Sequence, residues 1–313
     1  MTSTPEPPQL PEVGTRVSLR YLRPSGSQPP MADVVGQLVE AGPRVRVRGA
    51  DGRLHELRLA DVLYVRRLTD RPVKNSAIRA VEHAAALAWP GSEHQWLDGW
   101  LLRAGGGHTL RANSAVPLDM FARIGSVAAI VDWYATRGLP PRLSVPERLL
   151  RVPENLPAEC EARMLVRDLD RGGADAAGGA GVVLSERPDA GWLEGYARDV
   201  PVDVLTAVAD GEVVFASIPG AAVGRAAITE SPDGTRWVGL SALRVAESQR
   251  RQGYARAICA ALLACGRDHG ASRGYAQVRS GDSASFALFE AIGFTGQHRT
   301  RYLDARLLLP SST

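Results

Sequence analysis

The chain has 313 residues, 45% of them apolar, and a formal net charge of +3. That is ample for buried cores and too long for one average domain, so two or three domains are expected. No run of eighteen apolar residues occurs, which excludes a membrane-spanning helix. Lys74 is the single lysine, so all but one of the 37 basic residues are arginine, interleaved with 34 acids. This pattern speaks against a nucleic-acid partner, which selects a clustered basic face.

Residues 1–12, rich in proline, read as a disordered tail, with neither the basic nor the apolar segment of a signal peptide. Residues 13–69 carry short runs with strand-like alternation. These are Thr15–Leu22, Asp33–Glu40, Arg44–Arg48, Leu54–Leu59 and Leu63–Leu68. Gly42-Pro43 and Ala50-Asp51-Gly52-Arg53 mark turns between them. Five short strands in so little chain suggest a small SH3-like β-barrel. It reads as a packing or solubilising module, with peptide or nucleic-acid docking as the alternative.

Residues 70–170 alternate between periods. Asn75 or Ser76 can cap a helix running to about Ala88, and Trp89-Pro90 ends it. Leu97–Arg103 reads as a strand, Gly105–Gly107 as a turn, and His108–Ser114 as the partner strand. Residues 119–137 place Phe121, Ile124, Val127, Ile130, Val131 and Tyr134 at helical spacing, with Gly138 beyond the end. Leu143-Ser144-Val145 is a short strand. Trp96, Trp100, Arg103, Arg111 and Asn113 are candidates to line a cleft, core or hairpin roles being at least as well supported.

Residues 171–181, rich in Gly, Ala and Asp, form a linker. Residues 182–313 then run as strand Val182–Ser185, a helix from Asp189, strands Glu212–Ser217 and Ala222–Glu230, and a turn at Pro232-Asp233-Gly234. Strand Trp237–Val245 leads through Glu247-Ser248-Gln249-Arg250-Arg251-Gln252-Gly253 into a helix ending near Asp268. A second strand, Gly274–Arg279, and a short helix, Ser283–Ala291, follow, then Gly293-Phe294. A strand, a glycine turn and a helix N-terminus form a place to hold phosphate, because the first-turn N–H groups have no partners and the helix dipole favours an anion. Gly253 lets the backbone approach closely, and Ala255 is too small to obstruct it.

The spacing Arg250-x-x-Gly253-x-Ala255, set between these elements, resembles the acetyl-CoA motif of the GCN5-related N-acetyltransferases. The resemblance spans about residues 181–305. The barrel and the segments Asp98–Arg103 and Arg111–Ser114 resemble the actinobacterial type of that family, which has a barrel and two acetyltransferase-like halves. It implies a mixed α/β fold of two tandem halves. The half at 70–170 is degenerate, since Val116–Met120 has no glycine where the phosphate turn belongs. Residues 182–313 are the catalytic domain.

The resemblance implies transfer of an acetyl group from acetyl-CoA to a primary amine, either a protein lysine, as on a histone-like protein, or a small molecule. The rival is a non-catalytic acetyl-CoA-binding sensor or interaction protein. The strand end Leu243–Val245 would pair with the pantetheine arm, and the N–H of Leu243 would steady the thioester oxygen. Backbone around Arg251, Gln252, Gly253, Tyr254, Ala255 and Arg256 would hold the diphosphate, with Arg250, Arg251 and Arg256 adding charge. Asp282 stands where the family often has asparagine and is carried as a cofactor-binding candidate and helix cap. Phe289 stands where the family often has a proton-donating tyrosine, which leaves that role to water or to Tyr302. Glu230 is the candidate base. Cys160, Cys259 and Cys265 are odd in number and lack metal spacing, and the six histidines are scattered. No metal is expected, and a reducing, cytoplasmic setting is. The oligomeric state is left open.

Overall fold

A computed structural model of the chain describes residues 8, 10–49, 51–68, 73–169 and 181–310. Most of the expected tail 1–12, almost all of the expected linker 171–181, and Ala50 lie outside the described residues. The chain divides into two compact units, Met1–Pro72 with Gly281–Phe286, and Val73–Ser280 with Ala287–Thr313.

The first unit holds β1 (Arg16–Leu22), β2 (Met31–Glu40), β3 (Arg44–Gly49), β4 (Leu54–Arg58) and β5 (Val62–Arg67). They form one antiparallel sheet in the order β4-β3-β2-β1-β5. Side chains two apart share a face of a strand. Val17, Leu19, Val34, Leu38, Val45, Val47 and Val62 therefore collect in one core. Arg44 and Arg46 on β3 lie on the exposed face, paired with Glu56 and Glu40. Such exposed pairs stabilise by at most about 1 kcal/mol.

The second unit opens with α1 (Asn75–Leu87) and the small sheet β6 (Glu93–Leu97), β7 (Trp100–Ala104) and β8 (Val116–Pro117), followed by α2 (Val127–Ala135). Then come β9 (Arg142–Pro146), β10 (Cys160–Asp168), β11 (Val183–Ser185), α3 (Ala190–Tyr196), α4 (Val202–Thr206), β12 (Gly211–Ile218) and β13 (Ala222–Glu230). The chain closes with β14 (Arg236–Val245), α5 (Tyr254–Asp268), β15 (Arg273–Arg279), α6 (Ser283–Ala291) and β16 (Thr295–Asp304). Eight strands make one sheet in the order β11-β12-β13-β14-β15-β10-β16-β9. Strands from both sides of residues 171–181 thus share one sheet. Every neighbouring pair is antiparallel except β14 and β15, which are parallel and joined through α5. A parallel pair needs such a crossover.

Several elements differ from the sequence reading for local reasons. Leu97–Arg103 is not one strand but a hairpin turning at Asp98 and Gly99, with φ of 45° and 81°. Asp-Gly is the signal for that two-residue turn. His108–Ser114 is not a strand: the Asn113 side chain accepts from the N–H groups of Gly105 and Gly107 and donates to the Thr109 carbonyl, folding the segment into a loop. The helix expected over 119–137 is α2 alone, because the Asp119 carboxylate accepts from the N–H of Phe121 and Arg123 donates to the Met120 carbonyl. Such local bonds compete with helix. Lys74, not Asn75 or Ser76, precedes α1, and no side chain caps it. β10 escaped the reading because four consecutive residues are buried, which erases alternation.

Candidate functional site

The segment leaving β14 forms a short turn, Glu247–Gln249, and then reverses at Arg251 and Gly253, with φ of 63° and 86°. Gly253 is the residue before α5, and no side chain caps the helix there. The N–H groups of Tyr254, Ala255 and Arg256 are the first of the helix and the α5 ladder begins at Ala257, whose N–H bonds the Gly253 carbonyl at 3.0 Å. The space beside the Gly253 Cα is open. Arg250, Arg251, Gln252 and Arg256 are exposed, while Tyr254 and Ala255 are half-buried. Arg250 stands 3.9 Å from Glu247. Among the described residues Arg251 and Arg256 form no ion pair. This is an uncapped, basic helix N-terminus open to solvent, which suits an anion.

Next to this turn the sheet splits. β14 pairs with β15 only from Trp237 to Leu240, and no later residue of β14 is paired there. On its other side β14 bulges: Ala242 and Leu243 together face Gly224, and Ala242 takes a φ of 51°. A bulge re-aims the strand and ends regular pairing. Leu243 and Val245 are half-buried on this departing stretch. Its backbone offers an edge to which an extended ligand can add as a strand does.

A recess lies where the two strands part. Gly239, Leu240 and Ser241 of β14 and Tyr275 and Gln277 of β15 line it, with Trp89 and Ala85 from the region of α1. Arg111, from the loop folded by Asn113, completes the wall. Arg111 is held there by two bonds of 2.9 Å, Nε to the Gln277 side-chain oxygen and Nη2 to its carbonyl. The Tyr275 ring lies over the β14 backbone. A Cβ on Gly239 would come within 2.1 Å of that ring, so any other residue here must displace Tyr275.

The remaining sequence candidates fall elsewhere. Glu230 is a correction. It is exposed and pairs with Arg236, at the opposite end of β13 from Ala222, which faces Val245. Five residues separate it along the sheet from Ser241's partner Arg225, roughly 17 Å at the rise of a strand. It cannot take a proton at the recess. Asp282 caps α6, accepting from the N–H and hydroxyl of Ser285 at 3.0 and 2.7 Å. Phe289 is buried edge-on to Phe294, 5.2 Å between ring centroids, and serves as core. Tyr302 is buried and donates to the Gln277 side-chain oxygen at 3.1 Å. Burial pushes its pKa up, so it stays protonated. Of the five cleft candidates, only Arg111 lines the recess. Trp100 is core, Arg103 is buried against Ser114, Asn113 shapes the loop and Trp96 is exposed.

Arg225, which sequence reading passed over, is fully buried on β13. Its Nε donates to the Leu205 carbonyl at 2.7 Å, and its Nη2 to the carbonyls of Ala88 and Ala207 at 2.9 and 3.0 Å. Nη1 reaches the Ser241 hydroxyl at 3.5 Å. The guanidinium also sits 4.1 Å from the centre of the Trp89 ring. Burial lowers its pKa to about 9, so it remains charged at neutral pH. The only sequence signal was an arginine inside an otherwise apolar strand, Ala222–Ile228.

The fold and the split sheet define the class. A GCN5-related N-acetyltransferase from Kribbella flavida superposes with a TM-score of 0.50 at 14% identity, covering 72% of this chain and 93% of that one. The likeness concerns the fold alone. Residues 75–303 match the family model described as "Probable histone acetyltransferase Rv0428c C-terminal", and residues 11–66 match "Rv0428c N-terminal Sm-like domain". The chain is 50% identical to the protein named "Probable histone acetyltransferase Rv0428c" from Mycobacterium tuberculosis, over 95% of this chain and 96% of that protein. The chain belongs to this family of acetyltransferases. Its first unit is accordingly an Sm-like small β domain. Among the described residues no helix is long and apolar enough to cross a membrane.

Proposed function

We propose that the chain transfers an acetyl group from acetyl-CoA to an amine. The observation that carries this reading is the uncapped start of α5 set directly beyond the point where β14 leaves β15. The N–H groups of Tyr254, Ala255 and Arg256 hold the diphosphate, and Arg250, Arg251 and Arg256 add charge-assisted contacts. Gln252 and Gly253 shape the turn. The edge from Ser241 to Val245 pairs with the amides of the pantetheine arm. Backbone N–H in the bulge at Leu243 meets the oxygen that gains charge, and such a donor is worth about 2.7–4 kcal/mol. Acetyl-CoA supplies the acetyl group as a thioester, whose C–S bond breaks as the C–N bond forms.

Burial raises the pKa values of Tyr275, on the recess wall, and of Tyr302, behind Gln277, which makes both poorer acids than a thiol. Water therefore returns the proton to the leaving thiolate, the role that Phe289 cannot fill. Among the described residues no carboxylate lines the recess to act as base. The amine's proton passes to water. The acceptor amine belongs either to a protein lysine, as the relative's name suggests, with the Sm-like unit as a candidate docking module, or to a small molecule. Three unpaired cysteines fit a reducing, cytoplasmic setting.

Calorimetric titration with CoA, followed by thiol release in the presence of a panel of amines and basic peptides, tests this reading. Saturable binding with turnover on at least one acceptor is expected. Binding without turnover on any acceptor points instead to a sensor, and no binding at all removes the reading.

A further inference from the structure

The charges around the recess do not balance. Arg111 lines it, Arg225 lies behind Ser241 and Trp89, and Arg103 is buried nearby. Arg111 is close enough to interact electrostatically with both of the others. Among the described residues none of the three forms an ion pair. The only buried acid among the described residues is Glu82, held by His298 at 2.8 Å and Thr300 at 3.0 Å and near enough to attract Arg103. This leaves the buried Arg225 and the half-buried Arg111 without a facing acid among the described residues. Buried charge without a counter-charge is costly, and proteins keep it where a ligand supplies the partner.

The donors repeat this imbalance. Arg111 and Arg225 each commit Nε and Nη2 to fixed acceptors. Arg111 Nη1 makes no hydrogen bond among the described residues, and Arg225 Nη1 has only the long contact to Ser241. The Tyr275 hydroxyl, also on the wall, makes no hydrogen bond among the described residues. The Ser241 hydroxyl is already given to the Arg225 carbonyl at 3.4 Å, so the recess presents Arg111 and Tyr275 as donors in a positive field, a set suited to a carboxylate.

Building on the acetyl-transfer reading, we propose that this recess binds a carboxylate brought in by a substrate, the acceptor being a small amine of amino-acid type. A lone ammonium gains nothing beside these arginines. An amine tethered to a carboxylate is anchored by its acid while the same positive field favours its neutral, attacking form. The amine can then do without a protein carboxylate as base, in keeping with the surface position of Glu230. The carboxylate could instead sit at the far end of the acyl group, and the test separates these two sources.

The full-length protein is assayed with acetyl-CoA and amino acids, each paired with the amine left when its carboxylate is removed. A second arm compares succinyl-CoA with acetyl-CoA on a plain amine. The expected result is at least a tenfold preference in kcat/KM for the carboxylated acceptor. Arg111→Gln should reduce it below about threefold through KM, with the KM for acetyl-CoA unchanged. A preference confined to succinyl-CoA, and lost in the same variant, keeps the carboxylate site but assigns it to the acyl group. Calorimetry of the CoA complex with the same probes gives a readout that needs no turnover. Normal CoA binding with no preference for a carboxylate in kinetics or calorimetry overturns the inference and leaves the acetyl-transfer reading standing. Loss of CoA binding itself would strike at that reading instead.

Discussion

The turn before α5 and the recess between β14 and β15 both offer positive charge to a ligand, yet they are built in opposite ways. The turn is made of consecutive residues and offers main-chain N–H groups. The recess is made of side chains from α1, the loop at 105–114, β13, β14 and β15. A backbone site tolerates changes in side chain but not in φ. A side-chain site tolerates little change at positions more than a hundred residues apart in sequence. The two should therefore fail separately when each is damaged.

The largest effect should come from Gly253→Asp. It puts a carboxylate over the open N–H groups, in a left-handed conformation that Asp tolerates better than most residues. CoA affinity should fall about a hundredfold, since like charges brought together cost several kcal/mol. The melting temperature should change little. Unchanged affinity by calorimetry would place the diphosphate elsewhere.

Arg225→Ala should damage the other site and the fold beneath it. It leaves the carbonyls of Leu205, Ala88 and Ala207 without this donor and opens a cavity against Trp89. A loss of about 3–5 kcal/mol in urea unfolding is expected. A loss under 1 kcal/mol would mean that the charge is destabilising by nearly as much as its bonds stabilise.

Gly239→Ala sharpens the contrast. Its methyl must push the Tyr275 ring aside at the recess, which costs about 1–3 kcal/mol. Acceptor KM should rise while CoA affinity at the turn stays within about twofold. A parallel fall in CoA affinity would show the two sites to be coupled.

The smallest effect is a control. The Asp189 carboxylate caps α3 through the N–H of Trp192 at 2.7 Å. Asp189→Ala should cost about 1 kcal/mol of stability and alter neither CoA nor acceptor binding. A change in either would implicate α3 in the site.

Legibility follows the same division. The five strands of the first unit, the turn at 246–253, α5 and α6 were readable because local periodicity and one positive-φ glycine encode them. The hairpin at Asp98-Gly99 was encoded as well, and its Asp-Gly signal was passed over in favour of one long strand. β10 was not readable, because burial on both faces removes the alternation that marks a strand. Glu230 was misplaced because a strand's length is visible in sequence, whereas the end that faces the ligand depends on its neighbours.

The sequence by itself determined the glycine turn and the uncapped helix start before α5, since adjacent residues form them and need no distant partner. Only the tertiary structure decided that Arg111, Ser241 and Tyr275 share one recess with Arg225 behind it. Their chain separations carry no periodic signal, and the charge imbalance among them arises only when the sheet and α1 exclude water.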